Sequence, residues 1–182
     1  MGSTFHMNRR ISLALIGILG ATGTACAKTG AKTAAPQAKA LSKEEATALV
    51  KPFYDFLGGD ATPGEVQPSY HEDWISYYDN DDGRTMEDTL AFVSGPLAQM
   101  VPDLKWRIVD VYVTNANEVI VRGEATGTPV GDVFMGRPLA GGKSFKIMSV
   151  DVHVLEGRKI KATYHVEDWL NAIGQVAASS PQ

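Results

Sequence analysis

Two hydrophobic periods divide this chain. Leu49, Val50, Phe53 and Leu57 recur at helical spacing behind Ser42-Lys43-Glu44-Glu45, a capping box with Ser42 as N-cap and Glu45 reaching back from the first turn. Gly58-Gly59 predict the end of this helix, and Pro52 predicts a kink or two shorter helices. Residues 65–78 are aromatic-rich and expected to be partly helical. Another helix is predicted from Thr85, with Met86, Leu90, Val93 and Leu97 on one face and an interruption at Gly95-Pro96. From Lys105 onward the period falls to two. Strands are predicted over residues 107–114, 118–128, 144–155 and 159–166, with turns at Asn115-Ala116-Asn117 and Glu156-Gly157-Arg158 and a glycine-rich connection over 131–142. A short helix over 168–176 closes the chain. Helices first and antiparallel strands after is the α+β pattern, with helices on one face of a sheet. A strongly curved sheet of this kind encloses a pocket.

The region before Leu41 has a different character. Residues 1–6 read as a tag scar ahead of a native start at Met7. Asn8-Arg9-Arg10, the apolar run over 11–20 and the small residues that follow give the basic, apolar, small order of a secretory signal peptide over 7–27. The run is too short for a bilayer span of about 20 residues, so export is the expectation. Cleavage after Ala27, in Ala25-Cys26-Ala27, and lipid attachment at Cys26 both fit. Residues 28–40 carry no large apolar side chain and read as a flexible tether, leaving a domain over 41–177 and a tail over 178–182.

Composition narrows the partners. Hydrophobic residues at 44% against 21% charged suffice for a buried core in one domain of a 182-residue chain. Lys and Arg total 17 against 21 acids, a net charge of −4, the wrong balance for a general nucleic-acid binder. The single cysteine, Cys26, excludes a disulfide framework within the chain and a cysteine-rich metal centre.

Several motifs fail on their chemistry. The stretch 136–144 misses a phosphate-loop pattern by one residue and precedes a strand rather than a helix. Asp79-Asn80-Asp81-Asp82-Gly83 has its glycine one place early for a calcium loop, and Leu90 stands where the bidentate glutamate belongs. The histidines show no metal spacing, and no nucleophile elbow exists. These patterns therefore give no signal for a metal site or a phosphate loop.

Among the remaining polar residues, Asp168 follows a mostly apolar strand and stands beside Trp169. An apolar pocket would raise its pKa into the range useful for proton transfer; its position also suits a helix N-cap, and both roles are compatible. His153 shares a strand face with Phe145, Ile147, Ser149, Asp151 and Leu155, and Asp151 is a candidate partner for its ring. The opposite face, Met148, Val150, Val152 and Val154, is more apolar, so alternation leaves open which face is packed. His165 lies opposite Tyr164 and Val166 and is a candidate to orient Asp168. Glu167 reads as solvated or as a dimer contact. Arg122 is a candidate for holding a carbonyl or carboxylate, and Trp74, Tyr77, Tyr78, Trp106 and Trp169 are candidates to line a pocket for a flat, unsaturated ligand.

Taken in order, Phe53-Tyr54, Val101-Pro102-Asp103-Leu104-Lys105-Trp106, the run Val119 to Thr128 containing Val-Arg-Gly-x-Ala-Thr-Gly-Thr, Gly136-x-Pro138, Gly142-Lys143, Glu156-Gly157-Arg158-Lys159-Ile160 and the ending Tyr164-His165-Val166-Glu167-Asp168-Trp169 with Gln175 resemble the SnoaL-like polyketide cyclases, or ester cyclases, of the nuclear transport factor 2-like superfamily. The resemblance implies a cone-shaped α+β fold, also called cystatin-like: a curved, mainly antiparallel sheet with N-terminal helices on its concave face, often dimeric. It implies ring closure by intramolecular aldol condensation without metal or cofactor. It further implies Asp168 as the acid/base, with Tyr164 in place of the tryptophan of the family's ending, His153 as an assisting histidine, Tyr54 as a pocket tyrosine and Trp74 on a helix roofing the cone. The chain departs from the family at Asn171, where a glycine is usual, and in its export signal.

The expectation is an exported acid/base catalyst, an aldol-type cyclase or a related lyase or isomerase. Its ligand would be a small apolar or aromatic carbonyl compound, and its partner a second copy of itself. Membrane attachment would run only through a lipid on Cys26. The alternative is a non-catalytic module that binds a small ligand or dimerises at the cell envelope.

Overall fold

The computed structural model describes residues 40–114 and 117–178. The signal-peptide and lipidation readings, nearly all of the tether and of the tail, and Asn115-Ala116 of the predicted turn lie outside the described residues. Among those described, no helix is long and apolar enough to cross a membrane.

Helix α1 (Lys43–Leu57) begins at the predicted capping box: the Glu45 amide donates to Ser42 Oγ at 3.1 Å, and the Ser42 amide donates to the Glu45 carboxylate at 2.8 Å. Two backbone donors that the helix cannot satisfy are thereby satisfied. Pro52 does not divide it. Its missing N–H costs one bond, and the buried stripe of Ala46, Val50, Phe53, Tyr54 and Phe56 holds the helix as one element. Then come α2 (Pro63–Val66), a short 3₁₀ turn and strand β1 (Tyr70–Tyr77). Residues 65–78 are thus only briefly helical, and Trp74 sits on a strand, not on a roofing helix. Alternate buried positions at Trp74 and Ser76 set that choice.

Strand β2 (Gly83–Thr85) leads into α3 (Met86–Phe92), a π-helical stretch at Val93–Leu97, and α4 (Ala98–Met100). Gly95-Pro96 widens the helical turn here without ending it. The remaining elements are β3 (Lys105–Val113), β4 (Glu118–Gly127), the small hairpin β5 (Val133–Phe134) and β6 (Arg137–Pro138), β7 (Phe145–Glu156), β8 (Lys159–Glu167) and α5 (Trp169–Val176).

The sheet is curved and six-stranded, in the order β2-β1-β8-β7-β4-β3, antiparallel except where β1 runs parallel to β8. α1 packs on β3 and on the sheet's inner face. Two irregularities decide which side chains point inward. In β3 the register shifts between Ile108 and Asp110, so Trp106 and Ile108 face the core before it and Val111 and Val113 after it. In β8 the pairing passes from Leu155↔Ile160 to Val154↔Ala162, leaving Lys161 as an extra residue. That one residue moves Thr163, His165 and Glu167 onto the inner face, because side-chain direction alternates along a strand.

Candidate functional site

On the inner face, β7 and β8 carry a polar ladder inside an otherwise apolar core. Ser149 pairs with Glu167, Asp151 with His165, and His153 with Thr163. The face of β7 holding Asp151 and His153 is the packed one; Met148 on the other face is exposed. Cross-strand neighbours lie close enough for direct side-chain bonds. His165 Nδ1 is 2.7 Å from Asp151 Oδ1, and His153 Nδ1 is 3.0 Å from Thr163 Oγ1. From α1, Tyr54 Oη reaches Asp151 Oδ2 at 2.6 Å and His153 Nε2 at 3.2 Å. From β1, Trp74 Nε1 donates to Thr163 Oγ1 at 2.9 Å, and Ser76 Oγ lies 2.9 Å from His165 Nε2.

The direction of these bonds follows from what each group can do. The Asp151 carboxylate only accepts, so Tyr54 donates its single proton there and His165 Nδ1 carries a proton toward it. Tyr54 oxygen then accepts from His153 Nε2–H, and His153 Nδ1 accepts from the Thr163 hydroxyl, whose oxygen takes the Trp74 N–H. His153 is fully buried, and burial pushes its pKa down to about 4, so it is the neutral ring this pattern needs. Burial, followed by the nearby Asp151 charge, holds the Tyr54 hydroxyl well above its ordinary pKa. Two chains of donation end on Asp151, one through Tyr54 and one through His165.

The far end of the ladder opens into a cavity of about 190 Å³. Phe53 and Leu57 of α1, Phe92 of α3, Val93 and Leu97 of the π-helical stretch and Trp106 of β3 form apolar walls. Tyr78, Arg84, Met135 and Trp169 complete them, with His165 and Glu167 at the polar end. Trp106 packs closely against β4 because Gly123 has no side chain. A Cβ there would come within 2.5 Å of Ser149 Oγ and 3.0 Å of the indole nitrogen, which donates to that hydroxyl at 3.1 Å. Tyr78 stacks on His165 with ring centroids 4.9 Å apart. The Glu167 carboxyl is enclosed, its side chain 8% exposed, 3.8 Å from His165 Nδ1. Burial pushes its pKa up to about 7, with the nearby His165 and a hydrogen bond from Trp169 acting in the opposite direction.

The structure brings only some of the candidate residues together here. Trp106 and His165 line the cavity, with Tyr78 and Trp169. Tyr54, Trp74 and His153 lie beneath it, engaged in the ladder. Asp168 is exposed and accepts the Asn171 amide at 3.2 Å as the N-cap of α5, so its carboxylate points away from the cavity. Tyr164 is 40% exposed and stacks on Tyr77 on the outer face of the sheet. Arg122 occupies the same outward side of β4 as Ile120 and Glu124, pointing away from Val121 and Gly123. Glu167, read from the sequence as solvated or a dimer contact, is a cavity residue, because the extra residue at Lys161 turns it inward. Arg84 had no sequence signal; β2 is three residues long, too short for a period.

Asp151, His165 and Glu167 also present one ligand atom each within 4.8 Å of one another, a nitrogen and two oxygens suited to a borderline divalent metal. The 2.7 Å separation of His165 and Asp151 is that of a proton shared between them, which a metal would have to displace.

An inner polar ladder under helices, opening into one end of a curved sheet, is the arrangement of the nuclear transport factor 2-like, or ketosteroid isomerase-like, fold. The family model of the SnoaL-like domain matches residues 50–163, and the chain belongs to that family. Solved structures agree on the fold. TsrD from Streptomyces laurentii is 21% identical, covering 74% of this chain and 96% of its own, with a TM-score of 0.61. A proposed SnoaL-like polyketide cyclase from Jannaschia sp. CCS1 is 19% identical over 80% of this chain and 99% of its own, at 0.63. A protein of ketosteroid isomerase-like fold from Catenulispora acidiphila, solved with trimethylamine, is 12% identical over 70% and 91%, at 0.56. No curated protein matches the chain.

Proposed function

We propose that this domain is a cofactor-free acid/base catalyst acting on a small apolar or aromatic carbonyl compound, as an aldol-type cyclase or a related lyase or isomerase. The observation that carries the reading is Glu167: an enclosed carboxyl in an apolar cavity, its pKa pushed up to about 7, beside a histidine anchored by Asp151. Carbonyl chemistry of this class starts by removing a proton from the carbon next to the carbonyl. A base of pKa near the working pH does this efficiently. Glu167 takes the proton, and His165, held through Nδ1 by Asp151 and through Nε2 by Ser76, shares the charge change. The apolar walls exclude water and hold a flat substrate.

The test is exchange of the methyl protons of 2-acetonaphthone in deuterated water, followed by NMR. The expectation is acceleration by the protein and loss of it in Glu167→Gln. An unaccelerated rate across enolisable aryl ketones would leave a non-catalytic binder.

The reading includes export, with Cys26 lipidation or cleavage after Ala27 as its two forms. Mass spectrometry of the protein from its native envelope distinguishes them. It also includes a homodimer through the sheet's outer face, where Tyr112, Met148, Tyr164 and Val166 are exposed. Sedimentation of Val166→Lys against the parent tests that contact.

A further inference from the structure

Arg84 is the one lysine or arginine among the cavity's lining residues. Its guanidinium carbon lies 4.7 Å from the Phe92 ring centroid and 5.3 Å from that of Tyr78. Both rings belong to the lining, so the guanidinium rests over two aromatic rings of the cavity wall. Among the described residues no carboxylate or carbonyl bonds it, and Glu167, the acid of the same cavity, stands outside ion-pair distance. Contact with ring faces satisfies none of the N–H groups with an oxygen, so they remain available to a ligand. They form a planar fork matched to a carboxylate. Its backbone is fixed from behind: Arg84 pairs with Ser76 on β1, and Gly83 lies so close to Ile75 that a Cβ would meet its Cγ2 at 2.1 Å.

We propose that the cavity takes a substrate carrying a carboxylate, which Arg84 binds at the rim while the apolar body lies between Phe92, Trp106 and Trp169 and the carbonyl end meets His165 and Glu167. The substrate class is then an apolar or aromatic oxo acid, narrower than a neutral ketone. The assignment rests on the acid/base reading for which end of the ligand reacts, but the anion contact itself is measured without turnover.

The experiment is calorimetry of the full chain at pH 6, where Glu167 is mostly protonated, with 2-naphthoate and 2-acetonaphthone as probes. They share their rings and differ in the anionic group. The expected result is naphthoate binding about tenfold tighter or more, the effect of one charge-assisted contact. Arg84→Leu should abolish that preference with acetonaphthone affinity within about twofold of the parent, and Arg84→Lys should restore part of it. Equal affinities in the parent, no naphthoate binding, or equal losses for both probes in Arg84→Leu would overturn the proposal. A retained naphthoate preference together with no proton exchange on acetonaphthone would instead overturn the acid/base reading and leave the anion site standing.

Discussion

His153 and His165 stand on neighbouring strands of one ladder, both buried and both tied to Asp151, His165 directly and His153 through Tyr54. They are nevertheless differently placed. His153 is enclosed on all sides by Tyr54, Thr163 and the strands beside it, with each nitrogen bonded within the protein. It has no proton to exchange with a ligand and no room to move. His165 has the same two-sided anchoring but its ring forms part of the cavity wall, next to Glu167. A histidine's chemistry is thus decided less by its bonds than by whether its neighbour is a core or an opening. Burial makes one ring a neutral structural strut and leaves the other on a cavity wall beside an enclosed carboxyl.

The largest expected effect falls on the open end. Glu167→Gln should lower the proton-exchange rate by about 100-fold or more, the range of a positioned acid/base group. The parent's rate should rise with pH up to about 7 and then level, since the active base is the ionised form. A rate that is flat with pH, or a variant that keeps it, places the base elsewhere.

The two histidines should separate in opposite directions. His153→Ala should cost about 2–4 kcal/mol of stability, because it leaves a void and removes one hydrogen bond each from Tyr54 and Thr163, while exchange per folded molecule stays within about twofold. His165→Ala should cost less stability, about 1–2 kcal/mol, since water from the cavity replaces its bonds, but should reduce exchange about tenfold or more. Denaturant unfolding and exchange on the same samples read both quantities.

The same contrast appears in the pH dependence of stability. His153, lowered from 6.5 to about 4, favours the folded state above 6.5 and loses that contribution as pH falls toward 4. Glu167, raised from 4.5 to about 7, has the opposite sign: its contribution is full below 4.5 and lost as pH rises through 7. Between 4.5 and 6.5 the two slopes oppose each other, so the parent should be nearly flat there. Glu167→Gln should unmask a rise with pH of up to about 3 kcal/mol across that window. A flat variant would contradict the buried-neutral account of His153.

The smallest effect concerns Asp168. As an N-cap it should lose about 1 kcal/mol in Asp168→Ala and almost nothing in Asp168→Asn, an equally good cap, with exchange unaltered in both. A collapse of exchange in the asparagine variant would return the base to Asp168.

Much of the fold was legible beforehand. The capping box at Ser42, the helical stripe of α1 and the period-two strands from Lys105 to Glu167 are local signals, set by residues a few places apart, and they hold in three dimensions. So does the presence of Asp151 and His153 on one strand face. What alternation left open was which face of β7 is buried, since Met148, Val150, Val152 and Val154 are the more apolar set. The polar face won because α1 lies over it and supplies Tyr54, and because β8 and β1 supply Thr163, His165 and Ser76 as partners. A buried polar group is stable only with such partners, and no single strand carries them.

Which residues of the ending face the cavity was not readable from the chain. The chain places His165, Glu167 and Asp168 together by itself; their directions depend on one extra residue at Lys161 and on the start of α5, which turns Asp168 out to its own helix and leaves Glu167 inside. Arg84 and Arg122 teach the same lesson. The long alternating strand made Arg122 conspicuous, yet its parity takes it outward, while Arg84 on a three-residue strand reaches the cavity through Tyr78 and Phe92. Sequence alone determined the elements, because helix caps and periodicity are local. Tertiary structure decided which polar groups are desolvated, because desolvation and bond partners come from strands and helices far apart in the chain.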